Sequence, residues 1–138
     1  MGIAKLQQKT VLVVENESVD FFSLQRAFSQ ISPEFVLEAV ETGETAMRYL
    51  EGGEYPRAKY PLPVLVVLSL RLPGMSGLNL LKWIRQQPQL EGLPVIALTA
   101  YGNRDLPRAY DLGIDFYLLK PIDTKGLAEV LQVFGLLR

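Results

Sequence analysis

Short apolar runs of strand length alternate five times with longer segments whose apolar residues recur at helical spacing, and this alternation most constrains the fold. Val11–Val14 is an unbroken run of Val and Leu, the pattern of a parallel strand covered on both faces. Phe35–Val40, Val64–Leu68, Pro94–Leu98 and Asp115–Leu119 follow it, and the most apolar, Val64–Leu68, is expected at the centre of a sheet. In the first intervening segment Phe21, Leu24, Phe28 and Ile31 line one helical face, with Ser18 placed to cap it. Thr42 is expected to cap a second helix through Leu50, stopped at Gly52-Gly53. The turn Ser69–Gly77 opens a third helix through Leu81, Trp83 and Ile84 to Pro88. A short fourth is expected around Arg104–Leu112 before Gly113, and Leu127, Val130, Leu131 and Phe134 share a face of the last. Five β-then-α units joined by short connections specify a doubly wound α/β domain: five parallel strands, right-handed crossovers, helices on both faces.

The chain's 138 residues suffice for one domain, placed at residues 10–138 with 1–9 as an N-terminal extension. With no cysteine and no histidine there is no disulfide, no thiolate zinc site and no Ser-His-Asp triad, and no enzyme activity is expected. Fourteen basic and fifteen acidic residues leave a net charge of −1, too little to attract nucleic acid or anionic lipid broadly. No apolar run approaches the roughly 18 residues needed to span a bilayer, and a cytoplasmic location is expected. Residues 54–63 hold three prolines and no period. Although Arg57, Lys59 and Tyr60 give that stretch a basic, aromatic look, it reads as a solvated surface connection.

In an open parallel sheet, ligands bind beyond the carboxyl ends of the strands, where the strand order reverses. The residues expected there are Glu15 and Asn16 after the first strand, Ser69 after the third, Thr99 after the fourth and Lys120 after the fifth. Four segments, VLVVENE, VLVVLSLRLPGMSG, PVIALTAYG and FYLLKPID, stand in an order and spacing that resemble the receiver domain of two-component response regulators, a CheY-like, flavodoxin-like fold. The likeness runs from about Thr10 to Phe134. It implies that two acidic residues after strand one and an aspartate after strand three hold Mg²⁺, and that this aspartate accepts a phosphoryl group from a histidine kinase. It further implies that a Thr or Ser after strand four and a Lys before a proline contact the phosphoryl oxygens, and that an aromatic residue near strand five switches rotamer. Thr99, Lys120-Pro121 and Tyr117 match this pattern, as does Glu15. Asn16 stands where the second acid is usual, and Ser69 stands at the phosphoacceptor position.

Those departures change the chemistry. Glu15 facing Lys120 sums to zero charge, and one glutamate with the Asn16 amide, the Arg71 carbonyl and waters makes a poor cage for Mg²⁺. Metal binding is expected to be weak or absent, and no other cofactor is expected. Serine needs a base to become a nucleophile, and its phosphate is a stable ester rather than a labile acyl phosphate. Ser69 is read as a degenerate acceptor, with an unusual phosphoserine or an introduced substitution as alternatives. Glu15 has two readings, a helix N-terminal charge or a residual metal ligand; Lys120 is expected to pair with it. Thr99 is equally a strand-end hydroxyl or a switching residue, and Trp83 reads as packing.

The expected function is that of a phosphorylation-independent receiver-like domain of bacterial signalling, contacting a histidine kinase or a downstream protein. The resemblance places the contact face on the fourth helix, fifth strand and last helix, around Arg108, Tyr110, Phe116, Tyr117 and Gln132, where a homodimer could also form. Two alternatives stand beside it: a working phosphoacceptor using Ser69 or another residue, and a small-molecule or nucleotide binder in the strand-end crevice. No Gly-x-Gly-x-x-Gly follows the first strand to support the latter.

Overall fold

In the computed structural model, which describes residues 8–100 and 104–137, five parallel strands form one sheet in the order β2-β1-β3-β4-β5. The strands are β1 Lys9–Val14, β2 Phe35–Val40, β3 Leu65–Ser69, β4 Val95–Thr99 and β5 Phe116–Leu119. The helices are α1 Ser18–Ile31, α2 Gly43–Glu51, α3 Gly77–Arg85, α4 Leu106–Asp111 and α5 Thr124–Val133, with a 3₁₀ turn at Pro88–Leu90. The doubly wound fold expected from the alternation is the fold observed. Residues 1–7, most of the expected extension, and Tyr101 and Gly102 of the PVIALTAYG segment lie outside the described residues.

Val11–Val14, Leu65–Leu68 and Val95–Leu98 are shut off from solvent on both faces. Alternate residues divide between two cores. Leu12, Val14, Val66 and Leu68 pack against α2, α3 and α4 through Ala46, Leu50, Leu80, Leu81, Ile84 and Ala109. Val11, Val13, Leu65 and Val67 pack against α1 and α5 through Leu24, Phe28, Leu127 and Leu131. Each such aliphatic side chain contributes about 1.5–3 kcal/mol by leaving water, which is why these three buried runs carry no polar residue.

Boundaries differ from expectation where a polar group joins the ladder. β3 and β4 each begin and end one residue later than expected, so Ser69 and Thr99 are the last residues of their strands, paired with Leu98 and Leu119 respectively. Ser18 is not the cap of α1. Glu17 takes the extended cap conformation and its backbone N–H is held by the Glu15 carboxylate at 3.2 Å, so the chain is already helical at Ser18. Thr42 caps α2 as expected, its hydroxyl accepting the Thr45 N–H at 3.1 Å. At the opposite end of the sheet from the strand-end rim, Arg85 of α3 donates to the carbonyls of Gly113 (2.9 Å) and Leu93 (2.7 Å) and to the Asp115 carboxylate (2.8 Å). Asp115 in turn accepts the Val95 N–H at 2.8 Å, which fixes where β4 begins.

Gly77 sets how closely α3 approaches the end of β3. A Cβ at this position would collide with the Ser69 carbonyl oxygen and lie 2.7 Å from Leu70 Cα, both rigid backbone. Gly77→Ala is therefore expected to destabilise the domain by about 2–4 kcal/mol, read from urea unfolding, despite the better helix propensity of alanine. A variant as stable as the parent would show that the α3 start can move away from Ser69.

Candidate functional site

The strand order reverses between β1 and β3, so the crevice expected for a doubly wound sheet opens beyond Glu15 and Ser69. Glu15 is only 4% exposed, and its backbone N–H continues the β1–β2 pairing to the Val40 carbonyl at 3.0 Å. One carboxylate oxygen, Oε1, accepts the Glu17 N–H. The other, Oε2, is buried without a hydrogen bond, with the Lys120 ammonium 3.4 Å away at ion-pair distance.

Lys120 has a second and nearer partner. Its backbone N–H is tied to the Thr99 carbonyl at 2.9 Å, and its side chain reaches Asp20 Oδ2 on the first turn of α1 at 2.7 Å. The Glu15–Lys120 pair inferred from sequence is thus a triad, and the neutral balance inferred with it is corrected to two carboxylates sharing one ammonium, a formal charge of −1. Asp20 joins because α1 starts three residues after Glu15, which swings the helix's first turn over the strand ends. A carboxylate there also gains from the positive end of the helix dipole. The sequence signal was present, an acid in the first turn of a helix following a strand-end glutamate, but attention to strand ends alone passed over it.

Burial and charge act in opposite directions on Glu15 and Lys120. Desolvation raises the Glu15 carboxyl above its ordinary value of 4.5, against the lowering effects of the Glu17 N–H and the Lys120 charge. Desolvation alone would lower Lys120, but the hydrogen bond it donates to Asp20 and the attraction of both carboxylates outweigh it and hold the ammonium above 10.5.

The remaining sequence-inferred residues occupy the same carboxyl edge without joining the triad. The Ser69 hydroxyl, 4% exposed, donates to the Arg71 carbonyl at 3.0 Å, and the Thr99 hydroxyl, 2% exposed, donates to the Ala100 carbonyl at 3.3 Å. Each is satisfied by the loop that follows its own strand. Asn16 is exposed rather than turned inward beside Glu15. Tyr117 is half-buried on β5, edge-on to Tyr110 at 6.4 Å and tilted against Phe116 at 5.4 Å. The Lys120–Pro121 bond is cis.

The chain's relatives accord with this geometry. The pattern of the response regulator receiver domain family matches residues 11–132. The chain belongs to that family. It is 32% identical over 126 residues to response regulator Rcp1 of Synechocystis sp., covering 90% of this chain and 84% of that protein. The solved Mn²⁺-bound form of Rcp1 superposes with a TM-score of 0.73 at 33% identity, covering 91% of this chain and 90% of that one. The phosphorylated cyanobacterial phytochrome response regulator RcpA superposes with a TM-score of 0.75 at 28% identity, with coverage of 91% and 90%. As a receiver domain of two-component signalling, the chain falls in a class whose members interact with histidine kinases and downstream proteins.

A divalent cation of the kind receiver domains hold needs six or more oxygen donors, commonly including one or two free carboxylates. Here both carboxylates of the triad face the Lys120 ammonium, the Arg71 carbonyl already accepts Ser69, and Asn16 is turned to solvent. Among the described residues no three His, Cys, Asp or Glu side chains form a metal-binding group. This donor set does not fit a tightly held Mg²⁺.

A carboxyl raised on folding contributes fully to stability below its unfolded value and loses that contribution as pH rises through its folded value. Glu15→Gln removes this loss. Its stability relative to the parent is expected to increase as pH rises from about 4.5 towards 7, measured by urea unfolding at several pH values. A difference independent of pH would show that Glu15 titrates normally in the fold.

Proposed function

We propose that this receiver domain signals through protein contact without phosphorylation at Ser69. The observation that carries the reading is the side chain at the end of β3, a hydroxyl bonded to its own loop where the family pattern has the acceptor carboxylate. To attack a phosphodonor the hydroxyl would have to lose its proton to a base. The nearby acids, Glu15 and Asp20, are already bound to Lys120. Lys120, the residue that matches the family's phosphoryl contact, is held towards α1 by Asp20, and any Mg²⁺ binding is weak. Thr99 matches the other phosphoryl contact but has no phosphoryl group to follow, and its hydroxyl serves the end of β4.

The face formed by α4, β5 and α5 suits contact with a histidine kinase or a downstream protein. Tyr110, Phe116, Leu119 and Val133 are exposed there, and a cleft of about 530 Å³ runs between β5 and α5. Isolated exposed apolar residues are common, but four on adjoining elements make a patch of the kind that binds protein. Arg108 and Gln132 lie on the same elements, and Tyr117, tilted against Phe116 and edge-on to Tyr110, links the patch to the sheet. Symmetric association of two copies through this face fits the same surface. Among the described residues no helix is long and apolar enough to cross a membrane.

Incubation with acetyl phosphate and Mg²⁺ is expected to leave the intact mass unchanged. A stable phosphoryl adduct mapped to the β3–α3 loop would overturn the proposal. In the opposite direction, the double variant Ser69→Asp, Asn16→Asp supplies two carboxylates to the rim and is expected to acquire measurable Mg²⁺ affinity by calorimetry. If it still ignores millimolar Mg²⁺, the missing carboxylates are not what silences the site.

A further inference from the structure

The proline-containing connection after α2 is more ordered than a solvated loop. Arg57 donates from Nη1 to the carbonyls of Tyr49 and Tyr60 at 2.9 and 3.2 Å, and from Nη2 to the carbonyl of Leu50 at 2.6 Å. The buried Tyr49 hydroxyl donates to the Pro61 carbonyl at 2.9 Å. These bonds bring Tyr55 and Tyr60 against Tyr49, with ring centroids 5.3 Å (Tyr49–Tyr55), 5.9 Å (Tyr49–Tyr60) and 5.0 Å (Tyr55–Tyr60) apart. The planes meet at 45°, 79° and 71°, so the rings stand as walls at steep angles rather than as a parallel stack.

The three rings line a cavity of about 380 Å³ at the outer edge of the sheet, between β2 and α2, together with Glu38 and Glu41. Among the described residues neither carboxylate has an ion-pair partner. Glu38 acts on Tyr49: burial first, and then the Glu38 charge, push that phenol up to about 12. The ring faces already attract cations from the chain itself. Lys59 Nζ sits 5.5 Å from the Tyr60 centroid, and the Arg57 guanidinium 5.9 Å from that of Tyr49.

Half-buried aromatic rings beside carboxylates that lack an ion-pair partner select for one class of ligand. An anion is repelled, a neutral apolar molecule leaves the carboxylates without a counter-charge, and a hard metal ion loses water that tyrosine rings cannot replace. An alkylammonium ion keeps its charge, is weakly hydrated over its methyl groups, and is attracted by ring quadrupoles and carboxylates together. We propose that the cavity between β2 and α2 binds an organic ammonium ion, with the half-buried Tyr55 and Tyr60 as its aromatic walls, braced from beneath by the buried Tyr49, and Glu38 and Glu41 as its counter-charges. The site is independent of the rim around Ser69, so its failure would leave the reading of that rim unaffected.

The test is a ¹H–¹⁵N NMR titration of the full chain with choline and with tetramethylammonium, against sodium chloride at equal ionic strength and against 3,3-dimethylbutan-1-ol, the neutral isostere of choline. Both ammonium ions are expected to give saturable shifts confined to residues 38–42, 45–49 and 55–60, while the salt and the alcohol do not. Glu41→Gln, at an exposed position, and Tyr55→Leu are each expected to weaken binding by about threefold or more, and Tyr55→Phe to retain it. Acetyl-trimethyllysine methylamide separates the two sources of such a group. Affinity at least about tenfold above choline would assign the site to a lysine side chain of a protein partner, and equal affinity to a free solute. Equal shifts with the alcohol, shifts that follow ionic strength alone, or binding unaltered in both Glu41→Gln and Tyr55→Leu would overturn the proposal.

Discussion

One ammonium group divided between two carboxylates governs the chemistry at the carboxyl edge of this sheet. Lys120 arrives from the end of β5, Glu15 from the end of β1 and Asp20 from the first turn of α1, so the triad joins both flanks of the crevice where ligands of such sheets bind. Removing one partner of a buried ion pair is costly because the remaining charge stays desolvated. Glu15 carries most of that cost. Its Oε2 is buried with no hydrogen bond of its own, and burial already tilts it towards the protonated form. Asp20 stabilises the arrangement by giving Lys120 the closer, hydrogen-bonded partner.

The triad and Ser69 together account for a receiver fold with an altered pocket. The backbone devices that shape the pocket are intact: Gly77 allows α3 to start against the β3 end, and Thr99 and Ser69 close their strands. What differs is where the negative charge lies. In the family pattern a carboxylate stands at the end of β3, whereas here that position is a hydroxyl and the carboxylate nearest Lys120 stands on α1. An ammonium pulled towards α1 is poorly placed for chemistry at β3, which is why the proposed signalling surface is the apolar face of α4, β5 and α5.

The fold was legible in the sequence because burial on both faces forces unbroken apolar runs in β1, β3 and β4, and these, with two less buried strand-length runs, separated by amphipathic segments, admit few topologies. Glu15, Ser69, Thr99 and Lys120 were legible for the same reason, as the first polar residues after those runs. Asp20 was not, since a strand-based reading follows the chain along the sheet and a helix's first turn returns over it. The Ser18 cap failed for a related cause: the Glu15 carboxylate had already taken the Glu17 N–H. The tyrosine cluster escaped because proline breaks every periodicity. Three prolines mark a segment without regular structure, which is not a segment without packing, and Arg57 supplies the hydrogen bonds that regular structure would otherwise provide.

The most direct test of the shared ammonium is a ¹³C NMR titration of the Glu15 carboxyl in the parent and in Asp20→Asn. The account predicts a midpoint above 4.5 in the parent and a lower one in the variant, because Lys120 then turns wholly to Glu15 and the repulsion from Asp20 is gone. A Glu15 midpoint that does not move when Asp20 is neutralised would contradict it.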